Sequence, residues 1–198
     1  MLMFLSSCFL FRGIMKRKYL TKDEMNTLLL AISNNMKSFR DYCMVSMAFI
    51  HGLRVSELTN LKIEDYDPLS QNIYIRRLKG GLSTSQPLLS EENSILLNWL
   101  NERKNLPGRD LPWIFLSNQG KKISRQRFYQ LVRNYGRLAC LPLDIHPHML
   151  RHSCGYGLAD LGNDTRLIQD YLGHKNIRHT VTYTVSNAAR FKNVWVRT

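Results

Sequence analysis

The chain has 198 residues, 44% of them hydrophobic, which is enough to bury one sizeable core or a main domain with a small appendage. Its 28 lysines and arginines outnumber 15 aspartates and glutamates and give a formal net charge of +13 at pH 7. Such a field attracts polyanions, so nucleic acid is the leading class of partner. The positive residues are spread along the chain rather than gathered on one amphipathic helix, which argues against a membrane-surface protein.

The cysteines and the first residues bear on cellular location. Four cysteines show no CxxC pair and no spacing typical of a disulfide framework: Cys8, Cys43, Cys140 and Cys154. We therefore expect reduced thiols and a cytoplasmic protein. Residues 1–14 resemble a lipoprotein signal, but no positive charge precedes the apolar run, which is too short for a signal peptide or a bilayer span. Because Met15 resembles a second start site, we interpret residues 1–14 as a disordered leader or a mis-assigned start.

Helix signals open the ordered part of the chain. The run Thr21-Lys22-Asp23-Glu24 has the Thr-x-x-Glu form of a capping box, which predicts a helix ending near Asn34. A mostly buried helix follows from Phe39, and Gly52 can supply the left-handed residue that ends it. Arg54 comes directly after that stop, at the start of a short third helix.

A β-hairpin is predicted next. Alternation of apolar and polar residues from Asn72 to Leu78 is typical of a strand, and Gly80-Gly81 indicates a tight turn. The partner strand runs from Leu82 to Pro87. The hairpin carries Lys79 at its tip.

Helix-start residues then recur along the chain, with glycine or proline at several of the ends. The starts are Ser90, Ser124, the first-turn proline Pro147, Asp164 and, for a final short helix, Ser186. The ends are marked by Pro107-Gly108, Gly162 and Gly173. A short extended piece is predicted between Trp113 and Leu116. With no repeats or long linkers, the sequence predicts one mainly α-helical domain with a small antiparallel β-sheet.

Four separated segments carry residues suited to chemistry on DNA. They are Gly52-Leu53-Arg54, Lys79 in the hairpin turn, His148-Met149-Leu150-Arg151-His152, and Leu172-Gly173-His174 followed nine residues later by Tyr183. In order and approximate spacing they match the Arg, Lys, His-x-x-Arg, His and Tyr signature of the tyrosine recombinases, the phage integrase family. A single HxxR would be a weak signal, but six matched positions are strong. The sequence therefore resembles that family over about residues 19–197.

The chemistry explains why these residue types are needed. Cleavage of a phosphodiester concentrates negative charge on its non-bridging oxygens, and the planar, permanently charged forks of Arg54 and Arg151 can hold them. His148 lies three residues before Arg151, hence on the same helical face, where a neutral imidazole can help to take a proton. His174 can donate a further hydrogen bond to the phosphate.

The resemblance assigns the covalent step to Tyr183. A tyrosine hydroxyl with an ordinary pKa of about 10 is a poor nucleophile until positive charge and a base favour its phenolate. In the family, attack leaves a 3′-phosphotyrosine and a free 5′-hydroxyl, so neither ATP nor a metal is required, and Lys79 would protonate the departing 5′-oxygen. We interpret His152, one helical turn after His148, as support for this site. No cofactor is expected.

Less specific interpretations compete at each position. Arg54 by itself could be a surface phosphate contact, and a lysine beside two glycines is usually a solvated turn. A cluster of histidines with Cys154 suggests zinc: His146, His148 and His152. However, the His pair lacks the intervening Glu of HExxH, and no second pair completes a site. We therefore expect no metal.

The resemblance extends to the small invertases that switch fimbrial genes. The runs that carry it are Asp41-Tyr42-Cys43, Ile75 to Lys79, His146 to His152, Asp164 to His174, Asn176 to Val181 and Ser186 to Phe191. It implies a catalytic domain over residues 15–198, without a separate N-terminal DNA-clamping domain. It also implies inversion of a promoter-bearing segment between inverted repeats by a homotetramer at the nucleoid, with double-stranded DNA and accessory DNA-bending proteins as partners and no membrane. The alternatives are an integrase or dimer-resolving recombinase, a type IB topoisomerase, and a noncatalytic DNA-binding regulator.

Overall fold

The computed structural model describes residues 17–35, 39–78 and 80–185, and the structural statements below refer to these residues. Eight α-helices are present among them: α1 Lys22–Asn34, α2 Phe39–Ile50, α3 Val55–Thr59, α4 Ser90–Arg103, α5 Arg125–Leu138, α6 Pro147–Asp160, α7 Thr165–Leu172 and α8 Arg178–Val185. Three strands form one sheet: β1 Tyr66–Asp67, β2 Asn72–Ile75 and β3 Thr84–Pro87. The predicted fold class, mainly α-helical with a small antiparallel sheet, is confirmed. The leader at residues 1–14 and the helix expected from Ser186 lie outside the described residues.

Helix α2 lies at the centre of the core, where it packs against α1, α4 and α6. Its apolar residues Met44, Val45 and Met47 are fully buried. The helix ends at Ile50, and Gly52 in the turn that follows has the left-handed conformation predicted for it, with a φ of +56°. A Cβ atom at this position would overlap a methyl group of Leu172, so both the backbone conformation and the close packing require glycine. The end of α2 is thereby held against the end of α7.

The sheet is antiparallel, with β2 between β1 and β3. The structure corrects the predicted hairpin in two ways. Strand β2 ends at Ile75, not Leu78, and strand β3 begins at Thr84, not Leu82, so the connection is longer than the tight turn predicted at Gly80-Gly81. The reason is Arg77, whose backbone N–H bonds to the Ser83 hydroxyl (3.1 Å) and whose side chain turns into the protein. Strand β1 was not predicted, because two residues are too few to show alternation.

Local signals fix most of the helices after the sheet. The Ser124 hydroxyl caps α5, Pro147 occupies the first turn of α6, and the Asp164 carboxylate caps α7, all as predicted. Ser90 is the first helical residue of α4 rather than its cap, so that prediction is wrong by one residue. Helix α8, which carries Tyr183, was not predicted.

Candidate active site

Arg54 is held by a carboxylate three residues further along the chain. It occupies the cap position of α3, and its backbone N–H donates to Glu57 Oε2 (2.9 Å). Its guanidinium Nη1 also donates to Glu57 Oε1 (2.6 Å), while 28% of its side chain remains exposed. Glu57 is buried, so one carboxylate fixes both the backbone and the side chain of the more accessible arginine of the predicted pair.

A second arginine, Arg77, reaches the same carboxylate from the β2–β3 connection. Its Nη1 donates to Glu57 Oε2 (3.0 Å), and its side chain is fully buried. Burial alone would raise the pKa of Glu57, but hydrogen bonds from Arg54 and the charges of both arginines outweigh it and hold that pKa below its ordinary value. Sequence reasoning did not assign Arg77 to the site. The signal was present, because Arg77 continues the alternation of the buried Ile73 and Ile75.

Arg151 lies on α6 and is only 1% exposed. Its Nη1 donates to the carbonyl of Gly52 (2.5 Å), its Nη2 donates to the carbonyl of Leu172 (2.8 Å), and Nη1 lies 3.9 Å from Glu57 Oε2. Burial, together with repulsion from Arg54, lowers the pKa of Arg151 to about 10. It therefore remains charged at neutral pH, and it brings the ends of α2 and α7 together at the predicted site.

Tyr183 lies on α8 with its ring against α6. It is 2% exposed, and its hydroxyl is 3.0 Å from Nδ1 of His152. Gly155 makes this approach possible, because a Cβ there would meet three ring atoms of Tyr183 at 2.6–2.7 Å. Burial raises the pKa of Tyr183 to about 12, although the nearby charge of Arg151 opposes the shift. In this arrangement the hydroxyl is protonated at neutral pH.

The two histidines of the His-x-x-Arg-His run occupy different environments. His148 is exposed, whereas His152 is partly buried beside Tyr183, and the two rings meet edge to face with centroids 4.5 Å apart. Burial, with the neighbouring His148, lowers the pKa of His152 to about 4. Although His148 is accessible to solvent, the packing of neighbouring groups around part of its ring desolvates it and, with the charge of Arg151, lowers its pKa. Both rings are therefore neutral at pH 7. The structure places His152 in contact with the tyrosine hydroxyl and leaves His148 on the accessible side.

His174 follows the left-handed Gly173 that ends α7. Its Nδ1 lies 2.8 Å from the hydroxyl of Thr180, a residue that sequence reasoning did not assign to the site. Its ring lies beside that of Tyr183, with centroids 6.2 Å apart. Burial, with the charge of Arg151, lowers the pKa of His174 to about 3. When the Thr180 hydroxyl donates to Nδ1, the ring proton is on Nε2, which is then a hydrogen-bond donor.

Five of the six predicted catalytic residues are thus described in one region: Arg54, His148, Arg151, His174 and Tyr183. The sixth, Lys79, lies outside the described residues. Its neighbour Leu78 donates its backbone N–H to Glu57 Oε1 (3.3 Å). Within the described ranges, no group of three or more His, Cys, Asp or Glu side chains could hold a metal ion. No helix in those ranges is long and apolar enough to cross a bilayer.

Comparison with known proteins identifies the class of this site. The sequence model of the phage integrase family matches residues 18–190. The chain belongs to this family and is a tyrosine recombinase, an enzyme that breaks and rejoins DNA strands, as the resemblance of its motifs implied.

Particular relatives cover nearly the whole chain. It is 52% identical over 182 residues to the type 1 fimbriae regulatory protein FimB of Escherichia coli strain K12, covering 92% of this chain and 91% of FimB. It is 49% identical to FimE of the same strain, covering 92% of each protein. The crystal structure of XerA recombinase is similar with a TM-score of 0.77 and 31% identity. That match covers 88% of this chain and 62% of the XerA chain, so this chain spans less than two thirds of XerA.

Proposed function

We propose that this recombinase inverts a promoter-bearing DNA segment between inverted repeats and thereby switches fimbrial genes on and off. The observation that carries the proposal is the 52% identity to FimB, whose name records regulation of type 1 fimbriae, over 91% of FimB. The match to the phage integrase family model spans residues 18–190, which include both candidate arginines and Tyr183. Action on chromosomal DNA would place the enzyme at the nucleoid in the cytoplasm.

The covalent step of the proposal is a transesterification. Tyr183 Oη bonds to the scissile phosphorus as the bond from phosphorus to the 5′-oxygen breaks, which leaves a 3′-phosphotyrosine. The tyrosine proton passes to a histidine, and Lys79 gives a proton to the 5′-oxygen. One phosphodiester replaces another, so the bond energy is conserved and the reverse reaction can rejoin a different strand. This balance needs neither ATP nor a metal.

His152 and His148 have different proposed roles toward the tyrosine proton. The neutral Nδ1 of His152 lies 3.0 Å from the hydroxyl and can accept its hydrogen bond directly. His148 touches the ring of His152 from the exposed side, where a DNA phosphate can approach. We propose that His152 orients the hydroxyl and that His148 helps to remove the proton once DNA is bound.

The arginines and His174 form the proposed phosphate pocket. Arg54 and Arg151 would neutralise the charge that develops on the non-bridging oxygens, and Nε2 of His174 would add a hydrogen bond. Tyr183 and Arg151 are 2% and 1% exposed, so a scissile phosphate can reach them only when groups that cover them move aside. We infer that DNA binding opens the pocket.

Helix α5 supports double-stranded DNA as the partner. It has no acidic residue, and Arg125, Arg127 and Arg137 are exposed along it. Together with the net charge of +13, such a surface favours contacts to the phosphate backbone. Inversion joins two sites, which requires several copies of the protein, and we propose a homotetramer assisted by DNA-bending proteins.

The test separates DNA binding from chemistry. In Tyr183→Phe, binding to a nicked suicide substrate should persist while the covalent protein–DNA adduct disappears, because only the hydroxyl is lost. Tyr74→Phe, which makes the same change at an exposed tyrosine of β2, is the matched control and should form the adduct. Peptide mapping should place the adduct on Tyr183, and an adduct on another residue would reject the mechanism.

The biological role is tested by inversion of a reporter placed between the neighbouring genomic inverted repeats. If the protein instead relaxes plasmids that carry no such repeats, it acts as a topoisomerase.

A further inference from the structure

Arg77 has an unusual set of partners for a residue in a strand connection. Its Nη1 donates to Glu57 Oε2 (3.0 Å), and its Nη2 donates to the carbonyls of His51 (3.0 Å) and Tyr171 (2.6 Å). The side chain is fully buried. One guanidinium therefore joins the β2–β3 connection to the ends of α2 and α7 and to α3.

These contacts reach both arginines of the proposed phosphate pocket. Glu57, which Arg77 holds through Oε2, binds the guanidinium of Arg54 through Oε1. The Gly52 carbonyl, which accepts from Arg151, also lies 3.5 Å from Nη1 of Arg77. A shift of Arg77 would therefore be transmitted to Arg54 through one shared carboxylate and to Arg151 through one shared carbonyl.

The aliphatic part of Arg77 packs where His174 begins. A Cβ atom on Gly173 would lie 2.6 Å from Cγ of Arg77, so the turn that presents His174 rests on this side chain. Glycine at this position also has a φ of +64°, which side chains rarely adopt. The position of the turn, and hence of the imidazole, depends on where Arg77 lies.

Fold stability alone does not explain a charge at this position. Burial lowers the pKa of the Arg77 guanidinium. Among the described residues, Glu57 is the one nearby carboxylate that opposes this shift, and Nε of Arg77 has no hydrogen-bond partner. Buried ion pairs can often be replaced by apolar residues of similar volume without loss of stability. A charge kept here despite that cost points to a function in the site.

We propose that Arg77 is a positioning residue that sets Arg54, Arg151 and His174 around the scissile phosphate. The proposal rests on the proposed function, in which these three residues hold that phosphate. Arg77 itself does not touch DNA in this scheme. It acts through Glu57, the Gly52 carbonyl and the Gly173 turn.

The experiment compares two buried arginines. Arg77→Lys keeps the charge but loses the planar fork, and Arg103→Lys makes the same change at a matched position. Arg103 is also buried and donates to three backbone carbonyls, at 2.5–3.0 Å, away from the site. Single-turnover adduct formation is measured on a suicide substrate with an ordinary scissile phosphate, and on one whose phosphate is a neutral methylphosphonate. Thermal melting establishes that each variant is folded.

A positioning role makes the defect depend on the substrate. On ordinary DNA, Arg77→Lys should form the adduct about 100-fold more slowly than the unchanged protein, the scale expected when catalytic groups are displaced by about 1 Å. On the methylphosphonate the defect should shrink at least about tenfold, because less charge must be neutralised. Arg103→Lys should cleave each substrate at the same rate as the unsubstituted protein.

The outcomes separate this inference from the proposed function. An Arg77→Lys protein that cleaves as fast as Arg103→Lys, or that is equally slow on both substrates, would overturn the positioning role alone. Absence of a Tyr183 adduct from the unchanged protein would overturn the proposed function, and this inference with it. If Arg77→Lys does not fold, Glu57→Gln tests the same ion pair from its other side, and the same dependence on the substrate is expected.

Discussion

The contact between Gly155 and Tyr183 allows a small, defined perturbation of the nucleophile. In Gly155→Ala the new methyl group would lie 2.6 Å from Cε2 of the tyrosine ring and 2.7 Å from Cδ2 and Cζ. Carbon atoms in ordinary contact are at least about 3.5 Å apart, so the ring must retreat by roughly 0.9 Å. The hydroxyl would move with the ring and leave its 3.0 Å contact with His152.

Two effects on stability oppose each other in Gly155→Ala. Alanine in the middle of α6 favours the helix by about 1 kcal/mol, whereas overpacking costs about 1–3 kcal/mol. We expect a net change between zero and a loss of about 2 kcal/mol, measured as the free energy of unfolding in urea. Adduct formation should fall far more, by about 100-fold, because a displacement of nearly 1 Å misaligns the attacking oxygen. DNA binding should be unchanged.

Gly157→Ala is the matched control on the same helix. A Cβ at Gly157 would meet nothing within 4 Å, so this variant should gain about 0.5–1 kcal/mol of stability and keep its cleavage rate. Both proteins are assayed for adduct formation on a suicide substrate at saturating protein concentration. If Gly155→Ala cleaves as fast as Gly157→Ala, the reasoning that close packing on α6 places the nucleophile is wrong.

Two further predictions concern proton transfer and protonation. Lys79→Ala should slow cleavage of ordinary DNA but recover on a substrate with a 5′-bridging sulfur, which departs without a proton; equal slowing on both substrates would assign Lys79 to another role. Burial holds the pKa of His152 at about 4 and that of His174 at about 3, below the ordinary 6.5, so the unfolded chain binds protons that the folded protein does not. The free energy of unfolding should therefore fall as pH drops from about 6.5 towards 4, by up to about 1.4 kcal/mol per pH unit for each histidine. Urea unfolding between pH 7 and 4.5 measures this slope. His152→Asn should reduce the slope by the contribution of one histidine, and a slope equal to that of the unsubstituted protein would contradict the buried neutral state of His152.

The sequence signals that succeeded act over a few residues. The capping box at Thr21, the aspartate cap at Asp164 and the left-handed glycines at Gly52 and Gly173 all proved to be where the helices begin or end. Such signals work because an unpaired helix end must be satisfied locally. Helix α8 was missed because its start depends on a weaker signal, the side chain of Asn176, which accepts from the N–H two residues on (2.9 Å).

Contacts across the chain explain what the sequence did not predict. The spacing of the motifs named Tyr183 and Arg151 and put His152 in support of the site. It did not specify that His152 would touch the hydroxyl, and it gave no indication that Arg77 would reach Glu57. Arg77 and Glu57 are separated by 20 residues, and His152 and Tyr183 by 31. Such pairs depend on how the helices pack, which local patterns do not specify. The roles of the predicted site residues accordingly remain for the cleavage assays to test.

The way the site holds its arginines preserves its positive charge. Among the described residues, Glu57 is the one carboxylate that contacts Arg54, Arg77 and Arg151, so three positive charges meet one negative charge. The remaining partners of the two buried guanidiniums are carbonyls at or just beyond the C-terminal ends of α2 and α7, where the helix dipole is negative. Partial charges of this kind orient a guanidinium without neutralising it. A separate carboxylate for each arginine would fix the geometry equally well, but it would leave no surplus charge to stabilise a phosphate in the transition state.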